Sequence, residues 1–136
     1  MRDILFKARQ FKTKEWMEGN IVKLEVDDED SPQYYIVDNS DWEEAFEGSC
    51  WEYNRVDPDT IGQFIGLQDK KKVNIFEGDS VVFRIKEEDV PITGKVAYNE
   101  EHASFLIEHP KGYHGYFGIN WLAIDTAFEF EVIEQN

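Results

Sequence analysis

Carboxylates, histidines, one thiol and a set of glycines are the groups in this sequence with the chemistry for catalysis or ligand binding. Asp57 and Asp59 flank Pro58 closely enough for general acid-base work, and together with Asp79 they are the carboxylates on which a small hydrolase would be built. The same spacing also makes a turn, because proline presets φ and an aspartate accepts a backbone N–H, and the turn is the expected role. His102, His109 and His114 fit neither a helical HExxH pair nor the paired spacings of a zinc site, so no metal is expected. Cys50 lies between Ser49 and Trp51, with no basic neighbour nearer than Arg55 to activate it, and reads as a small buried side chain. The run Asp27 to Asp30 lacks the spaced oxygens and turn glycine of a calcium loop, and reads as an exposed, self-repelling segment.

Gly62, Gly66 and Gly78 lie in IGQFIGLQDKKKVNIFEGD, Ile61 to Asp79. Neither GxGxxG nor GxxxxGK[ST] is present, and no helix opens after the glycines, so no phosphate loop and no nucleotide cofactor are expected. Glycine tolerates positive φ and lets another backbone approach closely; these glycines are expected to bend the chain. A second group, Tyr113, Tyr116, Phe117 and Trp121, is interrupted by Gly112, Gly115 and Gly118. Large rings beside flexible glycines suit a partner-binding loop, and the buried edge of a barrel has the same composition.

Charge narrows the choice of partner. Acidic residues outnumber basic ones 29 to 14, a net charge of −15, and the basic residues are scattered apart from Lys70, Lys71 and Lys72. Nucleic-acid affinity depends on Lys and Arg displacing counterions, so direct binding to DNA or RNA is disfavoured. An acidic surface suits a basic protein partner, or, carried further, imitates nucleic-acid phosphates in a basic groove; the simpler role of the same charge is to keep the chain soluble. With a single cysteine no internal disulfide forms, which suits a reducing compartment, and the cytoplasm is the expected location. The N-terminal residues are broken by charges and carry no apolar core of a leader, and no stretch is long enough to span a membrane.

Elements of two-residue period must position these groups. Ile4, Phe6 and Ala8 alternate with Leu5, Lys7 and Arg9 as in a half-buried strand. Gly19-Asn20, between two apolar runs, predicts a two-residue hairpin turn followed by a strand with Val22, Leu24 and Val26 on one side. QYYIV predicts a strand, NSDWEEAFEG one short capped helix, CWEYNRV an extended run, and Asp57-Pro58-Asp59-Thr60 a turn. Alternation at Val81 and Phe83, Val96 and Tyr98, Phe105 and Ile107, and Phe128, Phe130 and Val132 predicts a meander, with HPKGYHGYFG as a glycine-rich turn. MEGNIVKLEV and FEGDSVVFRI share a Glu-Gly entry into an alternating strand, which either a duplicated half or, the favoured reading, common turn chemistry explains. At 136 residues the chain is one domain in length, and regular short strands with polar turns predict a mainly β barrel or sandwich with at most one short helix.

VDPDTIGQFIGLQDKKKVNIFEGDSVV resembles the YopX family of phage and prophage proteins, in which Val-Asp-x-x-Thr-Val-Gly-Gln-aromatic-Thr-Gly-Leu-x-Asp is followed by Ile-aromatic-Glu-Gly-Asp. Asp57, Thr60, Gly62, Gln63, Phe64, Gly66, Leu67 and Asp69 stand at matching places, as do Glu77, Gly78 and Asp79. The opening MRDILFKA and the closing FEVI resemble the family's two ends. Ile65 stands where threonine is usual, and Lys70 to Asn74 replace an Asn-Gly turn. The resemblance implies an SH3-like barrel core with additional N- and C-terminal strands, with residues 1–55 as an N-terminal β region and 56–136 as the barrel region. It also implies a phage or prophage origin and bacterial cytoplasm, and it carries no catalytic residues. The expected function is a non-catalytic accessory protein that binds an unidentified, basic protein partner.

Overall fold

A computed structural model describes residues 3–25, 32–37, 53–84, 90–113, 116–118 and 128–134. The expected helix over NSDWEEAFEG lies outside them, as do Trp121, the Asp27 to Asp30 run and Cys50. The described chain is mainly β, in two antiparallel sheets. Neither sheet closes on itself among the described strands, so the SH3-like barrel is not seen as a closed barrel. The chain divides into two compact units, Met1–Phe64 and Ile65–Asn136, each with its own apolar cluster.

In the first unit β1 (Phe6–Arg9), β2 (Trp16–Leu24), β3 (Gln33–Val37) and β4 (Arg55–Val56) are ordered β4-β3-β2-β1, and β5 (Gly62–Gln68) pairs with the free edge of β1. Gly19-Asn20 is no hairpin turn: β2 runs straight through it, pairing with β1 from Trp16 to Gly19 and with β3 from Asn20 to Leu24. Gly19 is needed for close approach, because a Cβ there would stand 2.6 Å from the carbonyl oxygen of Val37. Ala8, Ile36 and Val56 form the buried cluster, with Met17, Ile21, Tyr34 and Ile61 packed against it.

Strand β1 begins only at Phe6, and Ile4 is 68% exposed. Ala8 faces the core as expected, but Lys7, expected to face water, is fully buried, with its Nζ 4.6 Å from the ring centroid of Trp16. Tyr53 and Asn54, expected to be extended, have helical backbone; only Arg55 and Val56 of that run are strand.

In the second unit β5 continues through Ile65 and is flanked by β6 (Asn74–Phe76). β7 (Ser80–Arg84), β8 (Ile92–Asn99), β9 (Ser104–Tyr113), β10 (Tyr116–Gly118) and β11 (Phe128–Glu134) form a five-stranded sheet ordered β10-β9-β8-β7-β11. Alternation places Val81, Phe83, Val96 and Ile107 in a core that also holds Ile65, Ile75 and Ile92. Leu106 is buried as well, since β9 is covered on both faces at that point. The glycine-rich HPKGYHGYFG is less of a turn than its composition implies, with β9 reaching Tyr113 and β10 resuming at Tyr116.

Gly66 has φ 92° and kinks β5; Gly78 has φ 95°. At the β6–β7 corner Asp79 N donates to Phe76 O at 3.1 Å, which makes Gly78 the third residue of a turn that demands positive φ there. Gly19 carries no such φ, so the two Glu-Gly sequences occupy unlike conformations. Gly78→Val is expected to lower stability by about 1–3 kcal/mol, because a β-branched residue resists positive φ. Urea denaturation of the variant measures it.

Candidate functional site

Most of the motif residues singled out in the sequence bind the protein's own backbone. In the first unit Asp57 opens a single 3-10 turn, Pro58–Thr60, and its Oδ1 accepts from Asp59 N at 3.0 Å. Thr60 Oγ1 accepts from Arg9 N at 2.8 Å and donates to Asp57 O at 2.7 Å, so this turn is pinned to the end of β1. Gly62 pairs with Lys7 and Gln63 with Phe6, while Phe64 N donates to Leu5 O at 2.8 Å.

In the second unit Asp69 is buried at the β5–β6 turn. Its Oδ1 accepts from Lys71 N at 2.8 Å and Val73 N at 2.9 Å, and its Oδ2 accepts from Val132 N at 3.0 Å on β11. One carboxylate thus shapes the turn and ties down a strand far away in sequence. Burial alone would raise the Asp69 pKa; the amides of Val73, Val132 and Lys71, with the Lys71 charge, outweigh it and hold the group below its ordinary 3.8. Beside it Glu131 accepts from Lys71 Nζ at 2.7 Å and Lys70 Nζ at 3.3 Å. Those hydrogen bonds lower the Glu131 pKa, and the Glu131 contact in turn raises that of Lys71. Asp79 is fully buried, with Oδ2 accepting from Phe76 N at 2.9 Å, and its neighbour Gly78 donates to Val96 O at 2.7 Å. Leu67 packs against the core, and Glu77 forms the β6–β7 turn with Gly78.

The aromatic group divides. Phe117 turns inward against the core, edge-on to Phe83 at 5.4 Å between centroids. Tyr113 ends β9 and Tyr116 begins β10; Trp121 is outside the described residues. Among the described residues no group of three or more His, Cys, Asp or Glu is placed to hold a metal, and no helix there is long and apolar enough to cross a membrane.

Sequence reasoning missed a basic, aromatic cluster at the turn between β1 and β2. Lys7 Nζ and the Arg9 guanidinium each lie 4.6 Å from the centroid of Trp16. Arg55 lies 4.3 Å and Lys14 Nζ 5.5 Å from the ring centre of Phe11, which is 40% exposed. The turn is set by Gln10, whose Oε1 accepts from Lys12 N at 2.7 Å and Thr13 N at 2.6 Å. Phe11 N donates to Arg55 O at 2.9 Å, which brings β4 to the same place. The signal was legible in KARQFKTK, residues 7–14, with four cations, one ring and no carboxylate.

A family model described as "YopX protein" matches residues 6–133, nearly the whole chain. The crystal structure of protein EF1440 from Enterococcus faecalis is similar at 22% identity, with a TM-score of 0.54, covering 99% of this chain and 94% of that one. At that identity the likeness speaks to fold alone. Comparison with curated proteins gives no match.

Proposed function

Because this chain belongs to the YopX family, we propose that it is a phage- or prophage-encoded, non-catalytic protein-binding module whose acidic surface meets a basic protein in the bacterial cytoplasm. One observation carries the reading. The carboxylates of the shared motif whose contacts are described, Asp57, Asp69 and Asp79, each accept from backbone amides and build the fold. A carboxylate engaged with its own backbone amides is poorly placed to shuttle a proton to or from a substrate. Function is then left to the surface of a chain in which 29 acidic residues against 14 basic ones create a field that attracts cationic partners and speeds their encounter.

The chain, immobilised beside an unrelated protein of equal charge, is to be exposed to bacterial lysate at low and raised salt. A basic protein enriched over the control at low salt and released as salt rises is the expected result. Identical retention by the control would reduce the charge to a solubility device.

A further inference from the structure

We propose that the cluster of Arg9, Phe11, Lys14, Trp16 and Arg55 is a second binding surface, of opposite sign to the rest of the molecule, that docks an acidic segment of a partner protein. Among the described residues no carboxylate forms an ion pair with Arg9, Lys14 or Arg55, in a chain with twice as many acids as bases. With carboxylates in such excess, three cations gathered around two rings and paired with none of the described carboxylates is an arrangement that leaves their charge for an incoming anion. Glu15 is the one carboxylate in the turn itself.

Geometry favours carboxylates as the ligand. A guanidinium lying over a ring keeps in-plane N–H donors for a bidentate contact. Arg9 Nη1 uses one of its own on Lys14 O at 3.0 Å, which fixes the guanidinium before a ligand arrives. The Gln10 side chain holds the turn that carries Phe11, Lys12 and Lys14. Groups fixed in advance lose little freedom on binding.

The same contacts argue against single-stranded nucleic acid. Base binding needs open ring faces, whereas Trp16 and Phe11 each already carry two cations. A long polyanion would also meet the net charge of −15 along its length. A short acidic segment meets chiefly the patch, since screening at physiological salt confines each charge to about 8 Å.

The test is amide-resolved NMR titration of the full chain with a short poly-glutamate peptide and, separately, an oligothymidylate of matched charge. The expected result is peptide-induced shifts centred on Gln10 to Trp16 and Arg55, with binding about tenfold weaker in Arg9→Gln/Lys14→Gln/Arg55→Gln. Lys14→Glu, at an exposed position, gives the same loss if the triple variant fails to fold. Shifts elsewhere, unchanged affinity in the variants, no binding at low salt, or tighter binding of the oligothymidylate would each overturn the proposal.

Discussion

Asp69→Ala is expected to destabilise the second unit by about 2–4 kcal/mol, the result of removing a charged acceptor from several amides at once. Lys71 N and Val73 N lose the acceptor that shapes the β5–β6 turn, and Val132 N on β11 loses its tether. Asp69→Asn keeps one acceptor oxygen and is expected to cost less. Thermal and urea denaturation measure both. The pH dependence follows from the sign of the shift. The Asp69 pKa in the folded chain lies below its ordinary value of 3.8. Its stabilisation is therefore complete above 3.8 and is lost as pH falls below that value through the folded pKa. Glu131 is also lowered, from 4.5, by Lys71 and Lys70, so its contribution fades in the same direction. Wild type should lose stability across this acid range more steeply than Asp69→Asn, and parallel acid limbs would contradict that.

Gly19→Ala is expected to cost about 2–4 kcal/mol in the first unit, since its Cβ must displace backbone. The added carbon would lie 2.6 Å from Val37 O, 3.0 Å from Val37 C and 3.1 Å from Ile36 Cγ2. Relief requires β2 and β3 to part at Asn20↔Val37, where β2 changes partners. Glu18→Ala, at an exposed neighbour, is expected to change stability by about 0.5 kcal/mol or less. Equal melting temperatures for the two variants would show that β2 and β3 do not approach this closely.

Some of these features were legible in the sequence for physical reasons. The alternation at Val81 and Phe83 reports burial directly, because one face of β7 is core. Asp57-Pro58-Asp59-Thr60 carries its turn in local chemistry, and so does Gly78, where one bond and one φ suffice. Gly19 was misread because a glycine beside an asparagine is the same pair of letters whether φ is positive or a neighbouring strand leaves no room for a Cβ. Lys7 was misread because alternation identifies two faces and is silent about what packs on the second one, where the Trp16 ring lies 4.6 Å from its Nζ. KARQFKTK carried most of the cation cluster locally, but Arg55 joins it at Phe11 through a contact between distant parts of the chain that no local spacing shows. Asp69 was recognised as part of a motif, but its tie to Val132 depends on the path of β11, which no local spacing encodes.

The shared motif holds the protein's own backbone together. Native-state hydrogen exchange at the Val132 amide tests it most directly. Strong protection is expected in wild type, with loss of that protection in Asp69→Ala while Val96 N, which donates to Asp79 O at 2.9 Å, remains protected. A Val132 amide that exchanges freely in wild type, or equally in both proteins, would contradict it.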